Sequence, residues 1–405
     1  MRWSLFTRDA AGTATGGIPA VDADVVIRRI TTGKFVVSTP WTPDRWHRLP
    51  ASAGLIIVRD SQTVLSGAWT RRSWRSSGSE EHPLGLIGLE GVTDDAIGQY
   101  RLVSPNPELP FDGQNAPGAT AVWSMTGPVE TVMHAVVALN AGPGARPERR
   151  VPALVMGPDL GRGPVVVWSS LRYSTVQEEL RRLAAHAERA GDRLLPVFHQ
   201  TDLGLTFEVL GEDDRTGLVV FGAGLGNLDD QEYIEDAGTA GLAIGAGKGE
   251  GAARLQQVAV TTDEFTLAFG TLPEVYVDRR DTEKWEDLMQ AARDAVDDGV
   301  AKVSYRCTAR DTAGTRYARE WNLNTRASVL VGPAGTDPDT GENYEPIAAF
   351  DDLVREAHLE LNPTEGTDIV TAAIGAEGAS TGVALPSLTK LAALQARVDQ
   401  LQRSL

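Results

Sequence analysis

One cysteine, Cys307, stands among 405 residues, which excludes an intrachain disulfide framework and a Cys-rich zinc site. No apolar run is long enough to cross a bilayer. The first 17 residues carry Arg2 and Arg8 but lack the apolar stretch of a secretory signal, so a cytoplasm is the expected place of synthesis and assembly. Basic residues are outnumbered, 38 Lys and Arg against 55 Asp and Glu, for a formal charge of −17. General nucleic-acid binding needs a Lys/Arg footprint that releases phosphate counterions, and this balance argues against it. No repeat of fixed period is present, which sets solenoids and propellers aside.

Catalytic constellations are also missing. The histidines His47, His82, His134, His186, His199 and His358 include no pair at metalloprotease spacing and no neighbouring Cys ligand. No Gly-x-Ser-x-Gly elbow occurs, and Cys307, between Arg306 and Thr308 in an alternating stretch, reads as a packing residue. The adjacent carboxylates Asp94-Asp95, Asp213-Asp214, Asp229-Asp230, Asp297-Asp298 and Asp351-Asp352 suit turns and caps, because neighbours on a strand point to opposite faces and form no dyad. The glycine-rich stretches 222–228 and 238–251 have neither phosphate-loop nor dinucleotide spacing: Gly249 follows Gly247-Lys248 where Ser or Thr belongs. Asp337-Pro338-Asp339-Thr340-Gly341-Glu342 begins with oxygen ligands at alternate positions as a calcium loop does, but the acidic fifth position and the glycine at the sixth are lacking, so a turn is expected there. No cofactor and no metal is assigned.

What the chain does hold is abundant turn chemistry, with 42 Gly and 22 Pro, suiting a β-rich protein. Alternating segments at 25–27 and 35–37 flank a hairpin signal at 31–34, and 55–58 with 63–65 form another; 68–74 continues as a strand. A small barrel or sandwich ending near Trp123 is expected. Trp41, Trp46, Trp69 and Trp74 fit rim packing there, with a sugar-stacking platform as the alternative. Residues 126–211 then predict an α/β connector. Val129, Val132, Met133, Val136 and Val137 make one helix face, and Thr175 with Glu178 has capping-box spacing for a second helix, ended by Gly191. Strands are expected at 165–168, 194–198 and 205–210.

Residues 212–362 predict a second β-rich region. Its strands fall at 218–221, 255–260, 265–269, 275–277, 303–307 and 327–331, and its helix at 282–298. A loop over 332–346, a short amphipathic helix at 350–361 and a linker over 363–386 complete it. Leu391, Leu394, Val398, Leu401 and Leu405 repeat at the 3-4-3-4 spacing of a coiled-coil seam. Docking on its own domain and pairing with copies of itself both satisfy that seam, and self-pairing is the expectation.

The helix ending in Asn140, the loop after it, and Arg149-Arg150-Val151-Pro152-Ala153-Leu154 resemble the middle of minor tail proteins of actinobacterial siphophages, relatives of the tail-tip or baseplate hub. Leu55-Ile56-Ile57-Val58-Arg59-Asp60, Gly91-Val92-Thr93-Asp94-Asp95 and Tyr100-Arg101-Leu102-Val103 with Pro105 and Pro107 extend the resemblance in order. It implies an α+β, β-rich chain in which two small β-barrels are joined by the connector and followed by a C-terminal coiled-coil helix. The implied domains are 1–125, 126–211, 212–362, 363–386 and 387–405. It further implies a homotrimer with the seam as its trimer contact, which lines the DNA channel and adapts the hexameric tail tube to a threefold tip. The implied neighbours are distal tail or tail tube proteins, the tape measure protein and tip fibre or spike proteins, with no membrane partner. Such a protein is a virion component assembled in the host bacterial cytoplasm and is not an enzyme. The alternatives are a cell-wall hydrolase using the Asp pairs or Cys307, and a carbohydrate-binding receptor protein using Trp69 and Trp74.

Overall fold

The computed structural model describes residues 3–375 apart from 10–11, 50–52, 77–81, 203, 262–269, 281, 300–301, 311, 313, 334, 343 and 363–366. The expected strand at 265–269 and the seam Leu391, Leu394, Val398, Leu401 and Leu405 lie outside the described residues. Two compact units divide the chain: 1–231 with 307–372, and 232–306 with 373–405.

Among the described residues, fourteen strands form one sheet. Its main path runs Leu228–Asp236, Lys302–Ala309, Thr367–Gly375, Ala348–Asn362, Asp22–Arg28, Lys34–Pro40, Leu86–Thr93, Gln62–Arg75, Gly54–Arg59, Trp3–Arg8, Ala14–Ile18. The unit boundary falls inside the first three of these strands. The predicted hairpins form as antiparallel pairs. Asp60 and Ser61 both take positive φ, 46° and 75°, the primed-turn geometry that matches the strands' right-handed twist. Alternate residues Val25, Phe35, Val37, Leu55, Ile57, Ile87 and Leu89 are fully or almost fully buried.

The resemblance implies two barrels, yet among the described residues no pairing closes the path. The reason is long-range: Ala348–Asn362 pairs with Asp22–Arg28 in its second half and with Thr325–Val331 in its first. One continuous strand therefore joins what reads as two β-rich regions. The helix expected at 350–361 is part of that strand. Leu353, Val354 and Ala357 mimic helical spacing, but Ala357, Leu359 and Leu361 are buried while Glu360 is exposed, the period of two that pairing exploits. Within the stretch expected to be a linker, Thr367–Gly375 is a further strand.

Beside the sheet, the connector builds its own core. Helices Val129–Asn140 and Val176–Arg189 pack against a ribbon of Trp123–Pro128 with Val165–Leu171 and against Leu195–Thr201, Gly204–Leu210 and Val155–Met156. Both halves of the predicted capping box at Thr175 and Glu178 are present, and Gly191 sits at φ 94° just past the helix end. Val132, Met133, Val136, Val137, Leu183 and Ala184 are completely buried.

The second unit is small. Leu242–Ala246 lies between Gln256–Val260, antiparallel, and Glu274–Asp278, parallel. The helix Trp285–Gly299 covers one face. A β-carbon at Gly245 would come within 2.6 Å of the Leu288 carbonyl oxygen, so glycine there permits the close approach of helix and sheet.

Candidate functional site

Two polar clusters in the first unit tie the connector to the sheet. In the first, the Arg8 guanidinium donates to Asp94 at 2.8 Å and to the Gln200 side-chain oxygen at 3.2 Å. The Ser66 hydroxyl donates to Asp94 at 2.5 Å and accepts from the Gln200 amide at 2.9 Å. The Phe198 amide donates to Asp95 at 3.0 Å. Phe198 and Gln200 are alternate residues of Leu195–Thr201, so their amides share the edge not used in pairing with Gly204–Leu210. Asp95 and Ser66 supply side-chain acceptors where a neighbouring strand would supply carbonyls. The edge is thereby satisfied and closed to outside strands.

Asp95 is half-buried beside a cavity of about 210 Å³ whose lining includes Ser66, Arg28, His199, Tyr317 and Asn322. Loss of solvation raises its carboxyl pKa to about 7, and the negative charge of Asp94 adds to that. The hydrogen bonds from the Phe198 amide and the Thr93 hydroxyl oppose it.

In the second cluster, Arg29, 2% exposed at its side chain, donates to Asn324 at 2.8 Å, to the Leu194 carbonyl at 3.1 Å and to Glu188 at 3.2 Å. Arg355 donates to Glu188 at 2.7 Å. Burial works to raise the Glu188 pKa. The Arg355 hydrogen bond and the charges of Arg29, Arg355 and Arg193 outweigh it and hold the carboxyl below its ordinary value. The adjoining Ile30, at φ 63°, inserts into the connector core. A β-branched residue held at positive φ is strained, and the packing of its side chain compensates.

The residues screened for chemistry are spread apart. Cys307 is buried in Lys302–Ala309. His134 is buried against Phe207, ring centroids 5.3 Å apart, and burial lowers its pKa against the opposing charges of Asp159 and Glu130. His186 packs edge-on to Trp168, His199 meets Glu208 at 3.2 Å and His358 meets Asp24 at 2.9 Å. The adjacent aspartates take different partners: Asp229 pairs with Arg310 while Asp230 accepts from the Thr308 amide. Asp351 accepts from the Ser328 hydroxyl. In the 337–342 turn, Asp337 accepts from the amides of Asp339 and Thr340. Among the described residues no group of three or more His, Cys, Asp or Glu is placed to hold a metal ion. Trp69 is 3% exposed and Trp74 53%, and Arg72 lies over the Trp46 ring, so Trp69 and Trp74 form no shared open platform. Sequence reasoning named Asp94 and Asp95 as a turn pair, as part of the resemblance and among the Asp pairs of the hydrolase alternative, but gave Arg8, Ser66, Gln200, Arg29 and Glu188 no part in such clusters. A buried arginine facing a carboxylate far away in sequence leaves no local signal.

These clusters bind the α/β connector to the β-rich sheet within one chain. The fold is similar to that of a tail protein from Neisseria meningitidis MC58, with 16% identity over 93% of this chain and 98% of that one at a TM-score of 0.51. The 43 kDa tail protein of prophage MuSo2 from Shewanella oneidensis gives 11% identity over 92% and 98%, also at 0.51. Prophage tail protein gp18 from Listeria monocytogenes EGD-e gives 7% over 98% and 99%, again at 0.51. Residues 8–375 match the family described as Siphovirus ReqiPepy6 Gp37-like protein, and the chain belongs to that family. Among curated proteins none matches it. No helix among the described residues is long and apolar enough to cross a membrane.

Proposed function

We propose that the protein is a hub of the tail tip or baseplate, a homotrimer that adapts a hexameric tail tube to a threefold tip and lines the channel through which DNA leaves. The observation that carries this reading is the family match over 8–375, joined to a tail-protein fold over nearly the whole chain. If the β-rich parts of each chain take two quasi-equivalent positions, three chains present six similar faces to the tube and remain threefold below. The expected neighbours are distal tail or tube proteins, the tape measure protein and tip fibre or spike proteins, within the virion. The excess of carboxylates suits a channel wall to which DNA does not adhere.

Assembly rather than catalysis is the task of such a protein. Val165 and Val167 support this: on the connector ribbon they are 71% and 73% exposed, with Leu160 at 63% nearby in sequence, an apolar display that suits an interface. The test is the solution mass of the purified chain by light scattering. Three times the 43.3 kDa chain mass is expected, and a monomer at every concentration would remove the threefold adapter.

A further inference from the structure

The small sheet of the second unit is apolar on both sides. Its helix-facing side is built from Ala243, Gly245, Ala259 and Val275 against Ala292 and Val296. The apolar side chains Leu242, Ile244, Val258, Val260 and Tyr276 share the opposite face. The register fixes this, because Ile244 stands between Val258 and Tyr276 and Leu242 stands beside Val260. Val258, Val260 and Tyr276 are each about half exposed, at 48%, 55% and 52%. A sheet normally turns its bulkier apolar residues to a partner layer, and a helix on each face is the common three-layer solution.

We propose that the chain's own terminal segment, with the seam Leu391, Leu394, Val398, Leu401 and Leu405, covers this face. Three observations single it out. First, the described chain ends at Gly375 within the same unit, with Gly375 against the backbone of Val303 and Ser304. That point follows closely on Gly299, which packs on Ala240, so it lies toward the Leu242 and Val260 end of the sheet. Second, the lengths match. Residues 376–390 reach up to about 50 Å when extended. As a helix, 391–405 is about 22 Å long, against strands of about 17 Å. Third, charge is complementary: the segment 387–405 carries Lys390, Arg397 and Arg403 against Asp399, whereas 232–306 holds fifteen Asp and Glu and eight Lys and Arg. A seam of two heptads is marginal as a bundle on its own, and the sheet face offers it a broad apolar floor. This inference goes beyond the hub reading and stands or falls without it.

Trypsin cleavage of the full chain at Lys390 and Arg397 provides the test, read by mass spectrometry. Cleavage is expected to be slow in the native protein and about tenfold or more faster in Val258→Asp, since proteolysis follows the population of the open form. Leu394→Asp, which leaves the sheet unaltered, is expected to give the same acceleration, and truncation after Pro386 to raise the reactivity of Tyr276 toward a tyrosine-modifying reagent. Equal cleavage rates in all three chains would overturn the proposal. So would protection that vanishes on dilution but ignores Val258→Asp, which assigns the seam to a bundle of copies, or a Tyr276 reactivity indifferent to truncation.

Discussion

Asp95 binds its proton more tightly in the folded chain than in the unfolded one. With the carboxyl raised from 3.8 to about 7, the folded chain holds a proton between those values that the unfolded chain releases. This group's contribution to stability therefore grows as pH falls from about 7 toward 4, and above pH 7 the carboxylate is a cost. Asp95→Asn keeps an acceptor for the Phe198 amide, so it is expected to raise Tm at pH 8 and to lose that advantage at pH 5. Calorimetry at the two pH values checks it, and a pH-independent difference would refute the assignment. Glu188 has the opposite sign. Its lowered pKa gives stability that is present above about 4.5 and lost as pH falls through the folded value. Glu188→Gln leaves Arg29 and Arg355 short of their counter-charge and is expected to cost about 2–3 kcal/mol at pH 7, less than for a fully buried pair because a quarter of the side chain meets solvent. Urea unfolding at pH 7 and pH 4 should show the deficit shrinking with acid. Neither role was legible in the sequence: Asp95 and Phe198 are 103 residues apart and Arg355 and Glu188 are 167 apart.

Elements whose signals are local were legible. The connector helices, the capping box, the 31–34 and 59–62 hairpins and the helix ending near Gly299 are fixed by neighbours within a few residues. Elements whose identity rests on distant partners were not. Ala14–Ile18 and Leu228–Asp236 are polar or glycine-rich strands, and pairing rather than propensity makes them strands. Ala348–Asn362 was misread for the same reason. The close packing of Trp285–Gly299 on its sheet gives an element-scale prediction. Gly245→Val places a branched side chain where even a β-carbon is too close to the Leu288 carbonyl, so the helix must lift. Amide exchange across Leu242–Ala246 is expected to accelerate markedly while that of the connector helices stays unchanged. A uniform change, or none, would show that the contact is dispensable.

For the whole molecule, the ordered run of packing and turn residues led to the right family, because such residues record a fold even where no chemistry is attached. The joining of two β-rich stretches into one sheet was hidden, since Arg28 and Glu356, which pair at 2.8 Å, are 328 residues apart. If assembly uses the ribbon, Val165→Asp with Val167→Asp should leave the circular dichroism spectrum intact and reduce the light-scattering mass toward that of one chain. A full-size assembly from the doubly substituted protein would assign the ribbon to another role.

The strands through which the chain enters and leaves the second unit are neighbours in one sheet. The Arg310 amide meets the Asn227 carbonyl at 2.8 Å, so the strands run antiparallel and their far ends, near 236 and 302, lie side by side. The excursion between them is thus attached to the sheet at two adjacent points. Replacing 237–301 with a two-residue turn is expected to yield a shorter chain whose connector keeps its thermal transition, and loss of that transition would show the excursion to be structural. An excursion closed at one pair of neighbouring strands leaves the order of the remaining strands unchanged whatever its length.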